Sequence, residues 1–204
     1  MDPNREFGEA CFDVNEESGK AYKDFHNMIE NYFCRNFMLN SNYEQGLLLD
    51  IHGQTHKEQR IELGYLLSGA DLNKANLDSN LINKSSIARL ASLSNQKFEE
   101  LIRGSSFSLG GIIQNKLNLN VIPSPDVPGP LNTQYYTGGF ITSYYSSAEM
   151  SDYRLNCIQL ELPSNFRHGS KDKITENAKH LAECIFEFYT KNSLNNLKST
   201  NLKP

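Results

Sequence analysis

The sequence predicts a layered α/β fold, and three segments carry that prediction. Residues 47–51 form a short, unbroken apolar run between turn residues, and residues 156–162 alternate apolar with polar side chains. Residues 173–191 keep one face apolar through Ile174, Ala178, Leu181, Ala182, Ile185 and Phe188. Strands alternating with amphipathic helices bury their apolar faces by stacking helix on sheet.

The elements follow in order. Tyr22, Phe25, Ile29 and Phe33 recur at helical spacing, so residues 20–37 are expected as a helix, with His26 beside Phe25 on its apolar side. After Gly46, the run 47–51 has the composition of a central strand buried on both faces. Residues 66–84, rich in Asn, Asp, Ser and Gly, are expected as loop, followed by short helices over 85–93 and 95–103. Ser94 is the expected N-cap between those helices, and Gly104 the terminator. Gly110-Gly111 opens a stretch expected to end in a strand over 117–122. Residues 123–130, PSPDVPGP, hold too many prolines for a helix or an inner strand. In 156–162, Ile158, Leu160 and Leu162 oppose Cys157, Gln159 and Glu161, which reads as a strand with one polar edge. Pro163 ends it. Residues 1–191 are expected to form one domain, and 192–204, rich in Asn, Lys and Ser, a disordered tail.

Composition narrows the function. The chain has 204 residues, 38% hydrophobic and 22% charged, with a net charge of -4. A pI near 5.7 argues against a general nucleic-acid or anionic-membrane binder, which needs clustered Lys and Arg. No apolar run approaches the roughly 20 residues that cross a bilayer. The opening MDPNREFGEA has no hydrophobic core of a signal peptide. Cys11, Cys34, Cys157 and Cys184 are widely spaced and never form CxxC, which fits reduced, buried thiols and a cytoplasmic setting.

The chemistry centres on Asp50-Ile51-His52-Gly53, where an apolar strand ends in an acid, a histidine and a glycine. Ligands of open α/β sheets bind beyond the carboxyl ends of the strands. His52 and Glu161 would both lie there, with Asp50 orienting His52 and Gly53 turning the backbone away. A strand-end histidine also serves as a hydrogen-bonded structural residue. His168 and His180 have no neighbours that would make them catalytic. Arg60, Arg154 and Arg167 are expected as solvated surface, and Cys157 and Cys184 lack a His/Asp signature.

In chain order stand Asn4-Arg5, Asp50-Ile51-His52-Gly53, Thr137-Gly138-Gly139-Phe140-Ile141-Thr142 and Leu160-Glu161-Leu162. This series resembles the zinc carboxypeptidase superfamily and, within it, the N-formylglutamate amidohydrolase family. The resemblance spans roughly residues 2–190. It implies a three-layer α/β/α fold with a mixed sheet and hydrolysis of an amide on a small carboxylate-bearing substrate. His52 becomes a zinc ligand and Glu161 the general base. Arg5, helped by Asn4, becomes a carboxylate clamp, since a guanidinium meets a carboxylate with two parallel hydrogen bonds. Gly138 and Gly139 line the pocket, and Tyr135 or Tyr136 takes the place of the closing tyrosine.

The family's other two zinc ligands, a histidine and a glutamate, lie upstream of its Asn-Arg pair and have no match here. Three protein ligands plus water characterise catalytic zinc. His56, with Glu58 near it, is the nearest replacement, although Gly53 breaks the helix that would pair His52 with His56. The chain is therefore expected to bind zinc weakly and turn over poorly. A non-catalytic small-acid-binding or protein-interaction module on the same fold is the alternative reading.

Overall fold

The computed structural model describes residues 17–33, 45–147 and 155–193. Asn4, Arg5, Cys11, Cys34, Arg154 and residues 194–204 lie outside the described residues. The chain divides into two compact units, Met1–Glu44 and Gln45–Pro204.

In the first unit, α1 (Glu17–Phe33) forms at the expected helical stretch. Of its apolar stripe, Tyr22 and Ile29 are half-buried and Phe25 is exposed, while His26 is buried. The His26 ring lies 4.1 Å from that of Tyr22 and 5.4 Å, edge-on, from that of Phe25. Burial lowers the His26 pKa, with nearby Glu30 pulling the other way.

The second unit is mixed α/β. Its strands β1 (Gly46–Gly53), β2 (Ile61–Gly64), β3 (Val121–Ile122) and β4 (Leu155–Leu162) form one mixed sheet in the order β1-β4-β2-β3. β1 and β4 are parallel, β4 and β2 antiparallel, and β2 and β3 parallel. Between and after them run α2 (Gly69–Leu72), a 3₁₀ turn (Ser79–Leu81), α3 (Ala88–Leu93), α4 (Phe98–Arg103), α5 (Leu109–Leu117), α6 (Phe140–Tyr145), α7 (Ser164–Arg167) and α8 (Lys171–Ser193). No helix among the described residues is long and apolar enough to cross a membrane.

Strand residues alternate between the faces of a sheet, and here the faces differ in chemistry. Ile61, Leu63, Val121, Ile158 and Leu160 point to one side and are fully buried. They join Leu90, Leu101, Ile102, Ile113, Leu181 and Phe188 in one core. Each such side chain contributes about 1.5–3 kcal/mol by leaving water. The other side carries Asp50, His52, Gln159, Glu161 and Glu62.

Several expected elements are corrected. The run 47–51 is a strand, but among the described residues an edge strand, and Ile51 is 61% exposed. An unbroken apolar run does not distinguish an inner strand from an edge strand with mixed faces. β4 is an inner strand, between β1 and β2, so its Gln159 and Glu161 are buried rather than set along a polar edge. Residues 66–84 contain α2, closed by a Ser68–Asp71 capping box, and the 3₁₀ turn. The cap of α4 is Lys97 rather than Ser94. Gly110 and Gly111 lie inside α5, and a Cβ on Gly110 would overlap the Pro123 carbonyl oxygen. The helix needs glycine there to approach the next loop. α8 reaches Ser193, and Asn192 is buried, donating to the Phe107 and Phe188 carbonyls.

Candidate functional site

One row of side chains crosses the polar face of the sheet. The register pairs His52 with Glu161 on β1 and β4, and Glu161 with Glu62 on β4 and β2. Neighbouring strands lie about 4.8 Å apart, so the three side chains stand abreast on one face. In the next row are Asp50, Gln159 and Gly64.

Hydrogen bonds order this pair of rows. His52 Nε2 lies 2.9 Å from Asp50 Oδ1, two residues back on the same face. Gln159 donates from Nε2 to Glu161 Oε1 at 2.8 Å and accepts the Gly139 N–H at 2.6 Å. Glu62 accepts the Tyr136 N–H at 2.9 Å and holds His56 Nδ1 at 2.9 Å. The segment 133–139 is thereby fastened over the polar face. Arg60 secures it further, donating to Thr133 Oγ1 and the Gln134 carbonyl, each at 2.8 Å. The Tyr135 hydroxyl donates to the Leu63 carbonyl at 2.6 Å.

Gly64 is what lets the cover sit so close. A Cβ there would meet the Gly138 nitrogen at 2.6 Å, and Gly138 itself has φ +117. At Gly53 the expected sharp turn is not the reason for glycine. A Cβ would run into the Arg167 guanidinium at 2.6 Å. Arg167 donates to the Leu162 and Gln54 carbonyls and ties the ends of β4 and β1 together.

Burial grades along the row. Glu62 is fully buried and Glu161 nearly so, whereas the His52 side chain is half exposed. Burial raises the Glu161 pKa. The His52 imidazole and the Gln159 hydrogen bond oppose that shift, Glu62 adds to it, and His56 opposes it. A buried carboxyl whose pKa is raised by burial, set beside an imidazole, has the character of a general base.

Of the expected site residues, the structure brings His52, Glu161, Gly138, Gly139 and Tyr136 together over one face. Tyr136 lies with its ring stacked on His56 at 4.7 Å. Tyr135 turns away to Leu63. His56 joins the group through Glu62, not through a helix shared with His52, and Glu58 is not part of it. Asn4 and Arg5 lie outside the described residues. Arg60 is buried rather than solvated. Cys157 and Cys184 are free and buried, and burial raises both thiol pKa values.

Sequence reasoning missed Glu62, Gln159 and Arg60. The signal for Glu62 was present: a charged residue between Ile61 and Leu63 in a four-residue strand.

Among the described residues, no group of three or more His, Cys, Asp and Glu side chains is arranged to hold a metal ion. His56 Nδ1 and a Glu62 oxygen are engaged with each other, and His52 Nε2 with Asp50. The described donors do not by themselves fit a three-ligand zinc site. No family model, curated protein or solved structure matches the chain.

Proposed function

We propose that the chain is an amide hydrolase for small carboxylate-bearing substrates of the N-formyl amino acid type, with a three-layer carboxypeptidase-like fold. The observation that carries this reading is the register of His52 against Glu161, which sets an imidazole beside a buried carboxylate of raised pKa. Glu161 deprotonates water as it attacks the formyl carbon. The C–N bond then breaks, and the same carboxyl returns the proton to the leaving nitrogen, releasing formate and the amino acid. His52, steadied by Asp50, faces the developing oxyanion. Gly138, Gly139 and Tyr136 form the wall over the face; the substrate carboxylate is assigned to Asn4 and Arg5 by the resemblance alone, and both lie outside the described residues. Zinc is part of the chemistry of the family the sequence resembles, and the described donors do not by themselves fit a three-ligand site for it.

The test is release of amino acid from N-formyl-L-glutamate by the full chain and by Glu161→Gln. Turnover that falls about 100-fold or more in the variant supports the reading. Saturable binding of the substrate without turnover, unchanged in the variant, assigns the chain to the alternative, a non-catalytic small-acid-binding module.

A further inference from the structure

β1 hydrogen-bonds to β4 along one edge, and no described strand pairs with its other edge. An open edge offers its backbone N–H and C=O groups to any strand that can align with it. Pro, Lys and β-bulges are the usual protections of such an edge. β1, GLLLDIHG, has neither residue, and its register against β4 runs unbroken from Gly46 to Gly53. The end of the strand is the accessible part. Ile51, His52 and Gly53 are exposed, whereas Gln45 and Gly46 are buried.

We propose that this edge pairs antiparallel with the same edge of a second copy of the chain, about a two-fold axis at Ile51. A two-fold axis that continues the sheet stands perpendicular to it and makes the contact self-complementary. Ile51 then lies opposite the partner's Ile51, Asp50 opposite the partner's His52, and Leu49 opposite the partner's Gly53. Two exposed aliphatic side chains cover each other on one face. On the other face each carboxylate meets an imidazole. Each His52 also has its own Asp50 at 2.9 Å, so four side chains close a square across the axis.

Charge and burial select this register over its neighbours. An axis at Asp50 sets carboxylate directly against carboxylate, which is unfavourable. An axis at Leu49 sets the exposed His52 and Gly53 against the buried Gly46 and Gln45. The contact is small, below the roughly 1,200 Å² at which standard interfaces begin. The dimer is therefore weak, formed near about 100 µM chain and dissociated near about 1 µM. Dilution returns Ile51 to water. The pairing is independent of the hydrolase reading.

The experiment is sedimentation velocity of the full chain across that range, where the dimer is expected to dissociate on dilution. Ile51→Lys sets two ammonium groups face to face and should raise the dissociation constant at least about 100-fold. Its circular dichroism should not change, because the side chain is exposed. Under mild oxidation Ile51→Cys is expected to link to its own copy, and His52→Cys is not. Only an axis at Ile51 brings the Ile51 Cα atoms of the two copies within disulfide reach. Peptide masses separate this link from any through the native thiols.

A chain that stays monomeric at about 100 µM overturns the proposal. So does a dimer that Ile51→Lys leaves intact, or one in which Ile51→Cys fails to link to itself. Should Ile51→Lys fail to fold, the cross-link still decides.

Discussion

Glu62 and Glu161 are direct cross-strand partners on the antiparallel pair β2–β4, two carboxylates abreast on one buried face. Their charges are met unequally. Glu62 has His56, Arg60 and the Tyr136 N–H, whereas the Glu161 side chain has the Gln159 amide as its hydrogen-bond donor. The row is therefore asymmetric, and burial raises the Glu161 pKa.

A carboxyl whose folded pKa exceeds its unfolded value binds its proton better in the native state. Stability then falls as pH rises from the ordinary glutamate value of 4.5 through the raised folded value. Glu161→Gln removes that loss and keeps an acceptor for Gln159. The variant is expected to melt roughly 2–4 °C above wild type at neutral pH. The difference should vanish below the ordinary glutamate value. Thermal melts across this range check it; a variant less stable at neutral pH contradicts a raised Glu161.

Gly64 and Gly138 meet backbone to backbone where the 133–139 segment crosses the polar face. Gly64→Ala places a methyl at 2.6 Å from a nitrogen that cannot rotate away. The cover must lift, at a cost of about 1–3 kcal/mol. Gly139→Ala meets only the movable Gln159 Oε1, at 3.1 Å, and should cost less. Urea denaturation of the two variants, side by side, gives the comparison. Equal midpoints would mean that the cover does not rest on Gly64.

How much of this site was legible beforehand depended on how far each residue's partners lie along the chain. β4 and α8 were readable because their apolar periods are long and unmixed. β1 was readable as a strand, but its edge position was not, since sheet order follows from pairing and not from composition. His52, Glu161 and the glycine pair stood out by their order. Arg60 did not: its acceptors Thr133 and Gln134 lie 73 and 74 residues away, and only the fold brings them near. Glu62 likewise becomes a buried partner of Glu161 only once β2 pairs antiparallel with β4.

The Asp71 carboxylate accepts from Lys84, from the Ser68 hydroxyl at 2.6 Å and from the Ser68 N–H at 3.0 Å. These bonds, Lys84 first, hold its pKa well below the ordinary aspartate value. Its contribution is complete above that ordinary value of 3.8 and is lost as pH falls toward the depressed folded value. Asp71→Ala should cost about 1–2 kcal/mol at neutral pH, the scale of a lost helix cap. The gap to wild type should close in strong acid, which denaturation at several pH values measures. A pH-independent gap would remove the ionic part of this cap.

Metal content gives a further check on the described donor set. The purified chain is expected to carry well under one tightly held zinc per molecule, and a chelator should leave its melting temperature unchanged. Elemental analysis with paired melts decides this. One zinc per chain, with a melt lowered by chelation, would require a ligand set beyond the one that Asp50 and Glu62 now occupy.

Leu160 separates the inner strand from the edge. It is fully buried on β4, and its register partners on the same face are Ile51 on one side and Leu63 on the other. Leu160→Ala opens a cavity in the core and should cost about 2–5 kcal/mol. Ile51→Ala, on the same face but left exposed at β1, should stay within about 0.5 kcal/mol. The two residues are adjacent in space and both are aliphatic, so the ratio of their costs reports position rather than chemistry. Chemical denaturation of both variants reads that ratio directly. Comparable losses at the two sites would mean that β1 is covered on its apolar side in the folded protein, and the edge assignment would have to be withdrawn.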